Sequence, residues 1–218
     1  MAYDKLLLAD FETTGLDPKK NEIIEIGAIL CDAKTLDIYW EYEIKLKPVA
    51  LHTAHPKALE VNGYTPELWK DARAFVPGFI EFLAKLDHTM IMTGQNVWFD
   101  VGFYLQALET VRNIRFGDMN IDPLDPTPYG YSYHRLDIAS MAWPLQEDPV
   151  YRMSKLSEAF GVPAEASPHR AINGVRNEYA LLKEIKGRGS VVHSFGKTNW
   201  ADRYRIGERR PKESSIFE

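Results

Sequence analysis

Apolar positions in the first fifty residues follow strand spacing, and those in the rest of the chain mostly follow helix spacing. Leu6 to Asp10 is a short apolar run closed by an acid, and Ile23 to Leu30 is a second run that follows a turn region at Gly15 and Asp17-Pro18. From Ile38 to Lys47 apolar and polar residues alternate strictly, which predicts a third strand with one covered face. The chain is therefore expected to open with a three-stranded meander. A short helix is predicted over Pro56 to Val61, and a longer one over Val76 to Leu86 with Phe79, Ile80, Phe82, Leu83 and Leu86 on one stripe. A strand at Thr89 to Thr93 and an amphipathic helix at Phe99 to Val111 come next, and this alternation places the chain among α/β folds. Asn113 to Tyr133 has no sustained period and reads as a surface insertion. Helices are predicted over Leu136 to Trp143, Ser154 to Phe160 and Pro168 to Lys186, the middle one stopped by Gly161-Val162-Pro163.

A chain of 218 residues accommodates one such domain with decorations. The expected organisation is one domain over residues 1–186, interrupted by the 113–133 insertion and followed by a C-terminal tail at 187–218. With 45% hydrophobic and 26% charged residues the composition is that of a folded protein, which sets disordered and fibrous classes aside. No run approaches the ~18 apolar residues of a membrane span, and Glu25 breaks the best candidate, so no membrane partner is expected. The N-terminus passes straight into a strand without the pattern of a secretory leader, and Cys31 is the single cysteine; both suggest a cytoplasmic protein. A net charge of −5 argues against a broad basic coat for nucleic acid. The segment Lys186 to Lys212, however, holds eight Lys/Arg against two acids and offers a local patch for phosphates.

The candidate chemistry begins with Asp10 and Glu12. Side chains at i and i+2 of a strand share a face, so the two carboxylates meet and repel unless a cation or proton intervenes. Hard oxygen ligands suit Mg²⁺ or Mn²⁺. A pair of solvated charges at a strand end has the same appearance, and the residues that follow supply the context. Asp10-Phe-Glu-Thr-Thr-Gly-Leu-Asp-Pro18 places small, turn-forming residues directly after the acids, and Gly15 permits close backbone approach. In Asn96-Val-Trp-Phe-Asp100 the acid falls near a helix N-terminus, where capping alone also favours it. In Pro168-His-Arg-Ala-Ile-Asn-Gly-Val-Arg-Asn177, His169 has the near-neutral reference pKa of a general base.

Taken in order, these three strings resemble the three motifs of the DEDDh (DnaQ-like) 3′-to-5′ exonucleases, and weaker echoes extend the likeness over roughly residues 5 to 186. They are Leu59 to Thr65, Arg135-Leu-Asp137 and Lys155 to Val162. The resemblance implies an RNase H-like α/β domain, its mixed sheet opening with antiparallel strands, adding parallel ones and flanked by helices. It implies hydrolysis of single-stranded DNA or RNA from the 3′ end to nucleoside monophosphates, with DNA favoured, and admits a polymerase or other replication partner. Two divalent ions, Mg²⁺ or Mn²⁺, would be bound by Asp10, Glu12 and Asp100, with Asp10 bridging both and His169 as the base. Thr13, Thr14 and Leu16 would contact the terminal nucleotide, and Asn96, Trp98 and Phe99 would lie beside it.

Gly174 departs from the pattern, because the family places its fourth carboxylate there. Glycine offers no ligand and is about 1 kcal/mol worse than alanine inside a helix, so helix stability does not explain it. The expected consequence is a strongly impaired enzyme holding one ion rather than two, or alternatively a non-catalytic module that binds 3′ ends or a partner protein.

Overall fold

The computed structural model describes residues 3–87, 89–115, 134–165 and 167–195. Three long strands open the chain: β1 (Lys5–Thr13), β2 (Ile23–Asp32) and β3 (Ile38–Lys47). They form the expected antiparallel meander, with Leu8 opposite Ile29, Asp10 opposite Gly27 and Glu12 opposite Glu25. After α1 (Pro56–Val61) comes a two-residue edge strand, β4 (Arg73–Ala74), parallel to β3. It is too short to carry a period, and the pattern of residues does not announce it. Next come α2 (Phe75–Leu83), β5 (Met90–Gly94), α3 (Val97–Arg115), β6 (Arg135–Asp137), α4 (Ile138–Ala142), α5 (Met153–Phe160) and α6 (Ala171–Phe195). The sheet order is β4-β3-β2-β1-β5-β6, with β5 parallel to β1 and β6 parallel to β5.

Several boundaries differ from expectation. Arg135–Asp137, the predicted start of a helix, pairs with β5 as a strand, and the helix starts only where the Asp137 carboxylate caps the Ser140 N–H at 2.8 Å. The last helix begins at Ala171 instead of Pro168, so His169 lies in the loop before it, held by its N–H to the Val61 carbonyl at 3.1 Å. That helix also continues through position 186 to Phe195, and α3 runs on to Arg115. The rest of the expected insertion (116–133) and of the tail (196–218) lies outside the described residues.

The parity of β1 decides which acids meet which helix. Leu7, Ala9 and Phe11 face one core with Phe79 and Phe82 of α2 and Val101, Phe103 and Tyr104 of α3. Leu6 and Leu8 face the other, with Leu156 and Phe160 of α5 and Val175, Leu181, Leu182 and Ile185 of α6. Asp10 and Glu12 share the parity of Leu6 and Leu8, so they face α6. Each aliphatic side chain that α6 buries contributes about 1.5–3 kcal/mol, enough to seat the helix firmly on the sheet. Gly27 sets how close it comes: a Cβ there would lie 2.3 Å from the backbone carbonyl carbon of Ala171. Only a residue without a side chain lets the start of α6 rest on β2 opposite Asp10.

Candidate active site

The C-terminal ends of β1 and β5, the first turn of α3 and the first two turns of α6 enclose an open cleft of about 770 Å³. Asp10, Glu12, Asp100, His169 and Gly174 all line it, with Thr13, Leu16, Asn96 and Phe99 around them. Asp100 is fixed there by the Phe11 N–H, which donates to its Oδ1 at 3.1 Å and ties α3 to the strand that carries the other acids. Asn96 makes the corner before α3 in a left-handed conformation (φ 55°), which asparagine tolerates, and its N–H donates to Asp137 Oδ2 at 2.8 Å. Leu16 is 83% exposed at the cleft mouth, whereas Phe99 is half-buried against the Phe103 ring at 5.0 Å.

Two of the expected contact residues are placed elsewhere. Thr14 is fully buried and does not line the cleft. Its hydroxyl accepts from the Glu22 N–H at 2.8 Å, its own N–H donates to the Glu22 carbonyl and its carbonyl accepts from His55 N–H. Its polar atoms are thus committed to the turn between β1 and β2 and to the chain just before α1. Trp98 is exposed and also stands off the lining, because it is one residue out of phase with the face of α3 that carries Val97 and Asp100.

Three further charged residues belong to the site. Glu165, four residues before His169, holds one carboxylate oxygen 3.4 Å from its Nδ1 and accepts from the Arg170 N–H at 3.2 Å. Glu12, Glu165 and His169 each bring one ligand atom within 4.8 Å of the others. Arg170 lies over the Trp69 ring at 5.3 Å, and its Nη1 donates to the carbonyls of Asn62 and His169. Its charge lowers the proton affinity of Glu12 and Glu25. Glu178, on α6, is buried against the cleft with its Oε1 accepting from Gln95 N–H at 2.7 Å.

Burial and mutual repulsion leave these acids short of compensation. Burial, then the charges of Glu165 and Glu25, pushes Asp10 up to about 7. Burial and Asp10 push Glu12 to about 8. Asp100 and Glu178 are raised as well, each by burial first and the Asp10 charge second. Glu178 Oε2 and both oxygens of Glu25 are buried with no hydrogen-bond partner among the described residues. Buried carboxylates in this state require protons or a cation. The all-oxygen donor set with one imidazole at its edge suits a hard divalent ion.

The exonuclease family model of the RNase T type matches residues 7–182. The chain belongs to this DEDDh (DnaQ-like) exonuclease family, whose members depend on divalent metal. Among curated relatives, the PolC-type DNA polymerases III of Thermotoga petrophila and Thermotoga maritima are each 34% identical, over 119 and 118 residues. These alignments cover 54% of this chain but only 8% of either polymerase. The fold is that of E. coli exonuclease I: its complex with a dT13 oligonucleotide superposes with a TM-score of 0.68 at 19% identity, covering 88% of this chain and 43% of the other. A product-bound form of exonuclease I gives 0.67, also at 19% identity, and covers 88% of this chain and 45% of that one. Among the described residues no helix is long and apolar enough to cross a membrane.

Proposed function

We propose that this chain is a 3′-to-5′ exonuclease that hydrolyses single-stranded nucleic acid, DNA favoured, to nucleoside monophosphates with two divalent ions, Mg²⁺ or Mn²⁺. The observation that carries the reading is the convergence of Asp10, Glu12, Asp100 and His169, from three remote parts of the chain, on one cleft. Asp10, Glu12 and Asp100 would hold the ions, which when bound would acidify the attacking water and offset charge on the departing 3′ oxygen. His169, with 48% of its side chain exposed at the cleft edge, would take the water's proton. Glu165 beside Nδ1 orients the ring, leaving Nε2 as the acceptor. Leu16 and Phe99 present apolar walls for the terminal base, and Thr13 and Asn96 line the cleft beside them.

A single-stranded DNA substrate is supported by exonuclease I, the structural relative whose complexes contain dT13 and dA16 oligonucleotides. The PolC relatives support work beside a polymerase. The basic stretch from Lys186 onward would meet the phosphates of the strand or partner. On the three expected acids alone, Gly174 would leave the enzyme impaired, and that residue favours the alternative of a 3′-end binding module without activity. A time course on 5′-labelled DNA and RNA single strands with Mg²⁺ or Mn²⁺ decides. A ladder shortening from the 3′ end, abolished by Asp10→Asn, is expected for the nuclease, whereas intact strands that remain bound would leave only the module.

A further inference from the structure

We infer that Glu178 supplies the metal-site carboxylate that Gly174 lacks, one helical turn further along α6. This rests on the exonuclease reading and changes its expected strength. Residues i and i+4 of a helix lie on one face, separated by about 6 Å along the axis. Helical side chains lean toward the N-terminus and cover the turn before their own Cα. Glu178 therefore reaches back toward the turn that holds Gly174, and its extra methylene relative to aspartate lengthens that reach.

The observed contacts fit this geometry. Glu178 is 6% exposed and lines the same cleft as Asp10, Glu12 and Asp100. One of its oxygens, Oε1, is anchored by the Gln95 N–H at 2.7 Å, while Oε2 is buried without a partner among the described residues. Leaving such an oxygen unpaired inside a cluster of acids costs about 1–3 kcal/mol or more. A bound cation removes that cost. Gly174 is the complement: a Cβ there would stand 2.1 Å from Asp10 Oδ2, so the absence of a side chain gives the Asp10 carboxylate the space beside α6. With Glu178 counted, Asp10, Glu12, Asp100 and Glu178 line the cleft together, with Glu165 also on its wall, and the α6 carboxylate comes from a different place on the helix than the family pattern gives it.

The experiment compares wild type, Glu178→Gln, Gly174→Asp and the double variant by Mn²⁺ calorimetry, by melting with and without Mn²⁺, and by nuclease assay. Glu178→Gln is expected to weaken one Mn²⁺ position by at least the 10 to 100-fold typical of losing a partner residue of a metal site, and to shrink the Mn²⁺-induced rise in Tm. Gly174→Asp on that background is expected to recover Mn²⁺ affinity only in part, because its Cβ would stand 2.1 Å from Asp10 Oδ2 and displaces that carboxylate, and on the wild-type background it is expected to lower the affinity. Wild-type Mn²⁺ stoichiometry and affinity in Glu178→Gln would overturn the inference. If Glu178→Gln does not fold, Glu178→Asp decides: drawing the carboxylate back by one methylene is expected to weaken Mn²⁺ binding at least tenfold, and wild-type affinity would overturn the inference. Failure of the exonuclease reading shows separately, as wild type that binds Mn²⁺ yet shortens no strand.

Discussion

Replacing Gly174 with alanine adds one methyl group to the site, and the structure fixes where it goes. The new Cβ would lie 2.1 Å from Asp10 Oδ2, whereas ordinary contact begins near 3.4 Å, so the carboxylate must retreat by about 3.4 − 2.1 = 1.3 Å. The obstructing atom is the end of a rotatable side chain, and moving it off its preferred torsion costs about 0.5–1.5 kcal/mol. Alanine in place of glycine returns about 1 kcal/mol of helix propensity. The two nearly cancel, so the metal-free protein should melt within about 4 °C of wild type. Activity should not be spared, since a reacting-centre group misplaced by about 1 Å costs on the order of 10²-fold. Gly187→Ala is the control: it lies on α6 with nothing within 4 Å of the added carbon, so it gains the same propensity with no loss of activity. Melting curves and initial rates on a labelled single strand measure both quantities. Less than about threefold loss of activity in Gly174→Ala would refute the placement of Asp10 against α6, as would a loss equal to that of Gly187→Ala.

Gly27→Ala is expected to act through stability, because its Cβ meets the Ala171 backbone at 2.3 Å and the helix itself must shift; urea unfolding should show a loss of roughly 1–3 kcal/mol, with weaker Mn²⁺ binding. Asp100→Asn keeps an acceptor for the Phe11 N–H while removing a buried charge, so it should fold with a metal-free Tm no lower than wild type and lose nearly all nuclease activity. Asp10 and Glu12, raised from 3.8 and 4.5 to about 7 and about 8, hold protons in the folded state that the unfolded chain releases. The metal-free protein is therefore most stable below about pH 4 with respect to these groups and loses that stability as pH rises toward 8, whereas saturating Mn²⁺ flattens the loss; melts across this range with Mn²⁺ or EDTA measure it.

Most of the fold was legible where a period was long enough to be read. Strict alternation over Ile38–Lys47 and the apolar run from Ile23 to Leu30 located two strands, the second of which runs on to Asp32, and the stripe of Phe79 and Phe82 located α2. The short strands β4 and β6 escaped because two or three residues carry no period, and Arg135–Asp137 owes its strand to pairing with β5. The acids Asp10, Glu12 and Asp100 stood in recognisable strings, and the structure brings them together with His169. Thr14 and Trp98 stood in the same strings, yet string membership does not say where a side chain points. Glu165 left no mark in the sequence, since its role arises from a loop that folds back on His169. Glu178 did leave one: it interrupts the apolar stripe of Val175, Leu181, Leu182 and Ile185, and a lone acid in such a stripe requires a partner.

The tie between Asp100 and the Phe11 N–H, with α6 resting on Gly27, has a consequence for how the protein matures. Residues 10–12 wait for residue 100, and both wait for residues 169–178, before the cleft has its full set of ligands. A polypeptide emerging N-terminus first carries its acids early, and the cleft lacks one wall until the last helix docks. A fragment ending before α6 would leave the Asp10 carboxylate without the helix backbone that now lies against it.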